Sequence, residues 1–144
     1  MNKFVLDNSV AMRWLMVSSK KVDQEYAETV LQNFTKSEAI VPHLWHLEAT
    51  NVLLSAEMRG DLTTGEVERF ISQLENLPFQ VDSLTAHQTF SRTLSLSRAY
   101  KLSSYDAAYL ELAIRKSLPI STLDKTLKKA AKLADVPLYL SGLE

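Results

Sequence analysis

Short apolar runs alternate with longer stretches of helical period along the chain. FVLD (4–7), AIVP (39–42), FQV (79–81), PIST (119–122) and PLYL (137–140) have the length and bounding residues of buried strands. Between them, apolar residues recur at spacings of three and four. That period predicts helices over about 9–16, 23–35, 43–59, 64–75, 84–99, 104–117 and 125–134. Strands alternating with helices predict an α/β fold. The expected form is a small parallel sheet of four to five strands with right-handed crossovers and helices on both faces. No linker or internal repeat interrupts the pattern, so residues 1–144 are expected to form one domain.

Ligands of such sheets bind beyond the carboxyl ends of the strands. Asp7 ends the first strand, and Asp124 lies two residues past the fourth. Glu48 comes early in the helix after strand two, and Asp106 lies in the first turn of the helix that returns to strand four. Topology thus predicts four acids from distant segments at one rim. Each also has a local explanation. Asp7 and Asp124 read as helix N-caps, and Ser103 with Asp106 fits a capping box. Asp82 reads as one more N-cap and is assigned nothing else. On the helix over 43–59, Glu48, Asn51 and Ser55 form one polar stripe and His46, Thr50 and Glu57 a second. On the helix over 104–117, Asp106 falls among Tyr109, Leu110 and Ala113. Glu111 falls with Ser104 and Arg115 on a face expected to be solvated, where Glu111 should pair with Arg115.

Composition narrows the chemistry. Net charge is −1, so no overall basic field marks a nucleic-acid partner. The charge is nevertheless segregated. Residues 1–91 hold 7 Lys and Arg against 12 Asp and Glu, and residues 92–144 hold 9 against 5. The absence of cysteine excludes disulfides and thiolate metal sites. His43 and His46 lack a third nitrogen or sulfur ligand nearby. No phosphate-binding loop, nucleophile elbow or zinc-protease motif occurs. No apolar run has membrane-spanning length and no signal peptide is recognisable, so a cytoplasmic protein is expected. Clustered carboxylates that cannot repel one another apart need a hard cation, and Mg²⁺ or Mn²⁺ suits oxygen ligands.

The segments FVLDNSVAMRWL, HLEATNVLL, LSSYDAAYLELA and ISTLDKTLKKAAK resemble, in order and spacing, the four acidic blocks of PIN-domain ribonucleases. They are most similar to the toxins of prokaryotic VapC-type toxin–antitoxin pairs. The resemblance implies an endoribonuclease that uses Mg²⁺ or Mn²⁺, with Asp7, Glu48, Asp106 and Asp124 at the catalytic site. Asp7 and Asp106 would be the main metal ligands. Ser9, Asn51 and Thr122 match the supporting polar positions. It implies cleavage to a 5′-phosphate and a 3′-hydroxyl, a homodimer, and an antitoxin protein that blocks the site. Asn8 stands where the family often has a small residue, with little expected consequence.

Two other readings stay open on the sequence: a phosphoacceptor regulatory domain, and a non-catalytic RNA- or protein-binding member of the same fold. The helix after Asp124 adds a lysine stripe. Lys125, Lys128, Lys129 and Lys132 share one face opposite Leu127, Ala130, Ala131 and Ala134. Lysine stripes are usually solvated faces. This one starts one residue past an acid of the proposed site, which makes it a candidate for RNA phosphate contacts.

Overall fold

The structure is a computed structural model that describes residues 2–142. Its sheet has four parallel strands: β1 (Asn2–Leu6), β2 (Ser37–Val41), β3 (Phe79–Val81) and β4 (Ile120–Ser121), in the order β3-β2-β1-β4. β1 is central. Its Phe4, Val5 and Leu6 are fully buried, as expected of a parallel strand covered on both faces. Val5 stands opposite Ile40 on one side and Ile120 on the other.

The strand order dictates where a site can form. From β1 the chain steps outward to β2 and then β3. It returns past them to β4 on the other side of β1. With right-handed crossovers, this reversal puts the connecting helices on opposite faces. It also opens a crevice at the carboxyl ends of β1 and β4.

The helices largely follow the apolar period. α2 (Lys21–Gln32), α3 (Trp45–Met58), α4 (Thr64–Glu75), α7 (Ser104–Lys116) and α8 (Lys125–Leu133) lie close to the expected ranges. α1 (Asn8–Ala11) is short and tightens into a 3₁₀ turn over 12–14. The helix expected over 84–99 is divided into α5 (Thr85–Gln88), a π-helical segment (Thr89–Thr93) and α6 (Leu94–Tyr100). α7 ends in a left-handed Ser117, with the Ser117 amide donating to Ile114 and the Leu118 amide to Ala113. These paired bonds satisfy its last carbonyls and turn the chain into β4.

Three expectations need correction. PLYL (137–140) is no strand. Pro137 has no amide to donate, and Leu140 has φ 54°, outside the extended region. Only the Ile120–Leu138 bridge forms. Side chains anchor the segment instead: Tyr139 stacks on Phe4 at 4.0 Å, and its hydroxyl donates to Ser37 at 3.0 Å.

The second correction concerns Glu111, which does not face water. It is 1% exposed. Its pairing with Arg115 does form, at 2.8 Å, but inside the protein. The same guanidinium makes two bonds to Asp82, at 3.0 and 2.7 Å. Asp82 is therefore not the expected N-cap: the cap position of α5 is Leu84, and the Asp82 carboxylate binds Arg115 and the Thr85 hydroxyl instead. Burial alone would raise its carboxyl, but the Arg115 and Thr85 hydrogen bonds outweigh burial and hold it at about 2. A wheel could not reveal this, because the pairing acid comes from 33 residues away.

Removing Arg115 leaves two buried carboxylates without their cation. Arg115→Met should lower the unfolding free energy at pH 7 by about 3–5 kcal/mol. Arg59→Met, which breaks an exposed pair with Asp61, should cost under about 1 kcal/mol. Urea denaturation of the two variants gives the comparison; equal small effects would show that the buried triad contributes nothing.

Candidate metal centre

The carboxyl ends of β1 and β4 hold the start of the site. Leu6 pairs with Ser121, so Asp7 and Thr122 leave the sheet side by side, and the Asp7 amide donates to the Ser121 carbonyl at 2.9 Å. Asp7 occupies the N-cap position of α1 but does not cap it with its side chain. Its Oδ2 instead accepts the Ser9 and Thr122 hydroxyls, each at 2.7 Å. These hydroxyls are themselves fixed: Ser9 Oγ accepts the Leu123 amide and Thr122 Oγ1 the Asp124 amide. Asp124 caps α8 by accepting the Leu127 amide at 2.9 Å.

The other two acids arrive on helix ends. Glu48 lies in the first turn of α3, with Tyr109 donating to its Oε1 at 2.5 Å. Asp106 lies in the first turn of α7, where the Ser103 hydroxyl accepts its amide. Tyr109 and Leu110 are buried beneath that turn, while Tyr105 is 62% exposed. Asn51 is exposed and takes no part in the network.

The charges of these groups act on one another. Burial raises the Asp7 carboxyl, and Asp124 adds to the rise, against the Ser9 and Thr122 hydrogen bonds. Burial also raises Glu48, and Asp7 pushes it further up against the bond from Tyr109. Asp106 is pushed up to about 6, first by burial and then by Asp124, Asp7 and Glu48. No hydrogen bond to its carboxylate opposes the shift.

Among the described residues, no three acids or histidines stand close enough together to cage an ion by themselves. Mg²⁺ does not need such a cage. It commonly takes one or two carboxylates, with waters and substrate phosphate completing its shell. The donor set fits that mode, being all oxygen, partly buried and mutually repelled. Asp7 and Asp106 could bind directly, with Glu48 and Asp124 acting through water.

Asn8 and Tyr109 are the residues that sequence reasoning undervalued. Asn8 is buried, and its amide contacts Trp45, Glu48 and Tyr109. A polar residue after a strand-end Asp reads as part of a cap, and the sequence marks Asn8 only as a departure from the small residue that the family often has there. Tyr109 carried a weak signal, since it follows Asp106 by three residues on the same helical face.

Comparison with known proteins defines the class. Residues 4–133 match the PIN domain, and the chain belongs to that family. PIN domains are generally metal-dependent nucleases that use Mg²⁺ or Mn²⁺. Among solved structures the fold is similar to PAE2754 from Pyrobaculum aerophilum, with a TM-score of 0.62 and 19% identity. The match covers 90% of this chain and 86% of that one. No curated protein matches the sequence significantly. No helix among the described residues is long and apolar enough to cross a membrane.

The raised carboxyls give stability a definite pH dependence. An acid whose folded pKa exceeds its unfolded value holds its proton more tightly in the native state. For Asp106 the metal-free fold therefore loses stability as pH rises from 3.8 through about 6. Asp7 and Glu48 act in the same direction. Asp82 acts oppositely, contributing stability that is lost as pH falls from 3.8 through about 2. Calorimetry in chelator should show a melting temperature that falls over the Asp106 window and a shallower fall in Asp106→Asn. Millimolar Mg²⁺ or Mn²⁺ at neutral pH should restore the loss by linkage. A melting temperature indifferent to both pH and metal would contradict a carboxylate cluster.

Proposed function

We propose that residues 1–144 form one ribonuclease domain, a metal-dependent endoribonuclease that serves as the toxin of a toxin–antitoxin pair. The observation that carries the nuclease reading is the arrangement of four acids from four segments: Asp7 held by the Ser9 and Thr122 hydroxyls, Asp124 by its amide on the same Thr122, Glu48 by Tyr109, and Asp106 one turn before that tyrosine. A phosphoacceptor domain would keep one acceptor Asp beside an acid pair, and strand one here ends in a single Asp followed by Asn and Ser.

Asp7 and Asp106 would hold Mg²⁺ or Mn²⁺. When bound, the ion supplies acidified water and positive charge for the developing phosphorane. The Ser9 and Thr122 hydroxyls fix Asp7 through Oδ2. Glu48 orients the attacking water and takes its proton, and Asp124 acts through water. Attack at phosphorus breaks the P–O3′ bond, leaving a 5′-phosphate, and the departing 3′-oxygen takes a proton from solvent to become the 3′-hydroxyl.

Substrate needs positive charge beside so acidic a site. Lys125 and Lys129 line a cleft with Lys101 and Tyr100 that suits an RNA backbone. Lys132 is exposed and Lys128 half-buried on the same helix. The toxin role adds an antitoxin partner, a homodimer and a cytoplasmic setting. Its support is the resemblance of the four blocks, together with exposed Leu31, Leu47, Leu54 and Met58 on α2 and α3, which suit a protein interface.

Asp7→Asn or Asp106→Asn changes charge with little change of shape. Either should abolish metal-dependent RNA cleavage with far-ultraviolet circular dichroism unchanged; wild-type rates in both variants would remove the metal-site assignment. For the cleft, RNA binding by Asp7→Asn protein is measured across a salt series. Adding Lys125→Ala and Lys129→Ala should flatten the slope of log K against log salt by about 0.7 for each lost phosphate contact on single strands. An unchanged slope would make the lysines a solvated face.

A further inference from the structure

Glu48 is gripped at one oxygen. Its Oε1 accepts the Tyr109 hydroxyl at 2.5 Å, and the Asn8 amide nitrogen lies 3.5 Å from the same atom. That nitrogen also donates to the Trp45 carbonyl at 3.0 Å and reaches the Tyr109 hydroxyl at 3.4 Å. A side-chain amide has two hydrogens. One serves Trp45, at the start of the helix that carries Glu48. The other is shared between Glu48 and Tyr109. Asn8 and Tyr109 are buried, and the Asn8 amide nitrogen and the Tyr109 hydroxyl find partners here, while Asn8 Oδ1 has none among the described residues. No described residue donates to Glu48 Oε2.

The arrangement joins three elements. Asn8 follows β1 beside Asp7, Glu48 and Trp45 open α3, and Tyr109 lies one turn past Asp106 on α7. A phenylalanine at 109 would fill the same space but could not hold the carboxylate. An alanine at 8 would remove the link between the β1 rim and α3.

We infer that Asn8 and Tyr109 are positioning residues for Glu48, occupying Oε1 so that Oε2 is the one oxygen it offers to an ion or to the attacking water. This rests on the nuclease reading and assigns roles within it. Neither residue touches the reacting atoms. Both act by stopping the carboxylate from rotating and from presenting both oxygens at once. Partners that orient a ligating or water-binding group in this way typically affect metal affinity or activity by about 10–100-fold.

The test is a double-mutant cycle on the full chain. RNA cleavage and Mn²⁺ affinity by calorimetry are measured for wild type, Tyr109→Phe, Asn8→Ala, Glu48→Gln, and each of the first two combined with Glu48→Gln. Tyr109→Phe should lower kcat and Mn²⁺ affinity by about tenfold or more with KM for RNA little changed. Added to Glu48→Gln, it should change either quantity by less than about twofold, because the group it positions is already gone. Asn8→Ala should follow the same pattern and replaces Tyr109→Phe if that variant does not fold. Equal losses in both backgrounds, or folded single variants with wild-type kcat and affinity, would overturn the positioning role and leave the nuclease reading intact. A wild type that neither cleaves RNA nor binds Mn²⁺ would overturn the nuclease reading and this inference with it.

Discussion

Burial and the nearby charges of Asp124, Asp7 and Glu48 push the Asp106 carboxyl up to about 6, and the proposed metal site is built around that repulsion. Asp106 has no hydrogen bond to offset the charges of Asp124, Asp7 and Glu48. Asp7 keeps its place because two hydroxyls grip it from fixed backbone positions. Glu48 keeps its place because a tyrosine and an asparagine do. Sites that keep like charges close together at a cost to the empty fold are typical of functional centres. The strand order puts this one at the reversal between β1 and β4, where a crevice must open.

The other buried charges solve the opposite problem. Asp82 and Glu111 have Arg115 between them, and all three are satisfied within the protein. The triad joins the end of β3 to the body of α7, the helix that carries Asp106 and Tyr109. The contrast separates the two acid clusters chemically. One contains its own cation; for the other we propose Mg²⁺ or Mn²⁺.

Much of this was legible in the sequence, for identifiable reasons. Apolar period and strand length set the element order, and parallel topology then sent Asp7, Glu48, Asp106 and Asp124 to one edge. Ser9 and Thr122 came from the resemblance of their blocks to the family, which also pointed to Asn51, a residue outside the network. Long-range pairing was not legible. Glu111 looked solvated because a wheel describes one helix, and Asp82 and Arg115 lie 33 residues apart. Asn8 looked neutral because its three partners come from α3 and α7. The fifth strand failed for two reasons: Pro137, which the sequence shows, and the left-handed φ at Leu140, which only the backbone shows.

The most direct measurement is a crystal of the protein soaked in Mn²⁺ and examined by anomalous scattering. An ion at the carboxyl ends of β1 and β4, bound directly to Asp7 and Asp106 at roughly 2.1 Å with waters completing six ligands, is the expected result. Density absent from that rim at millimolar Mn²⁺, with the four acids turned apart toward solvent, would contradict it.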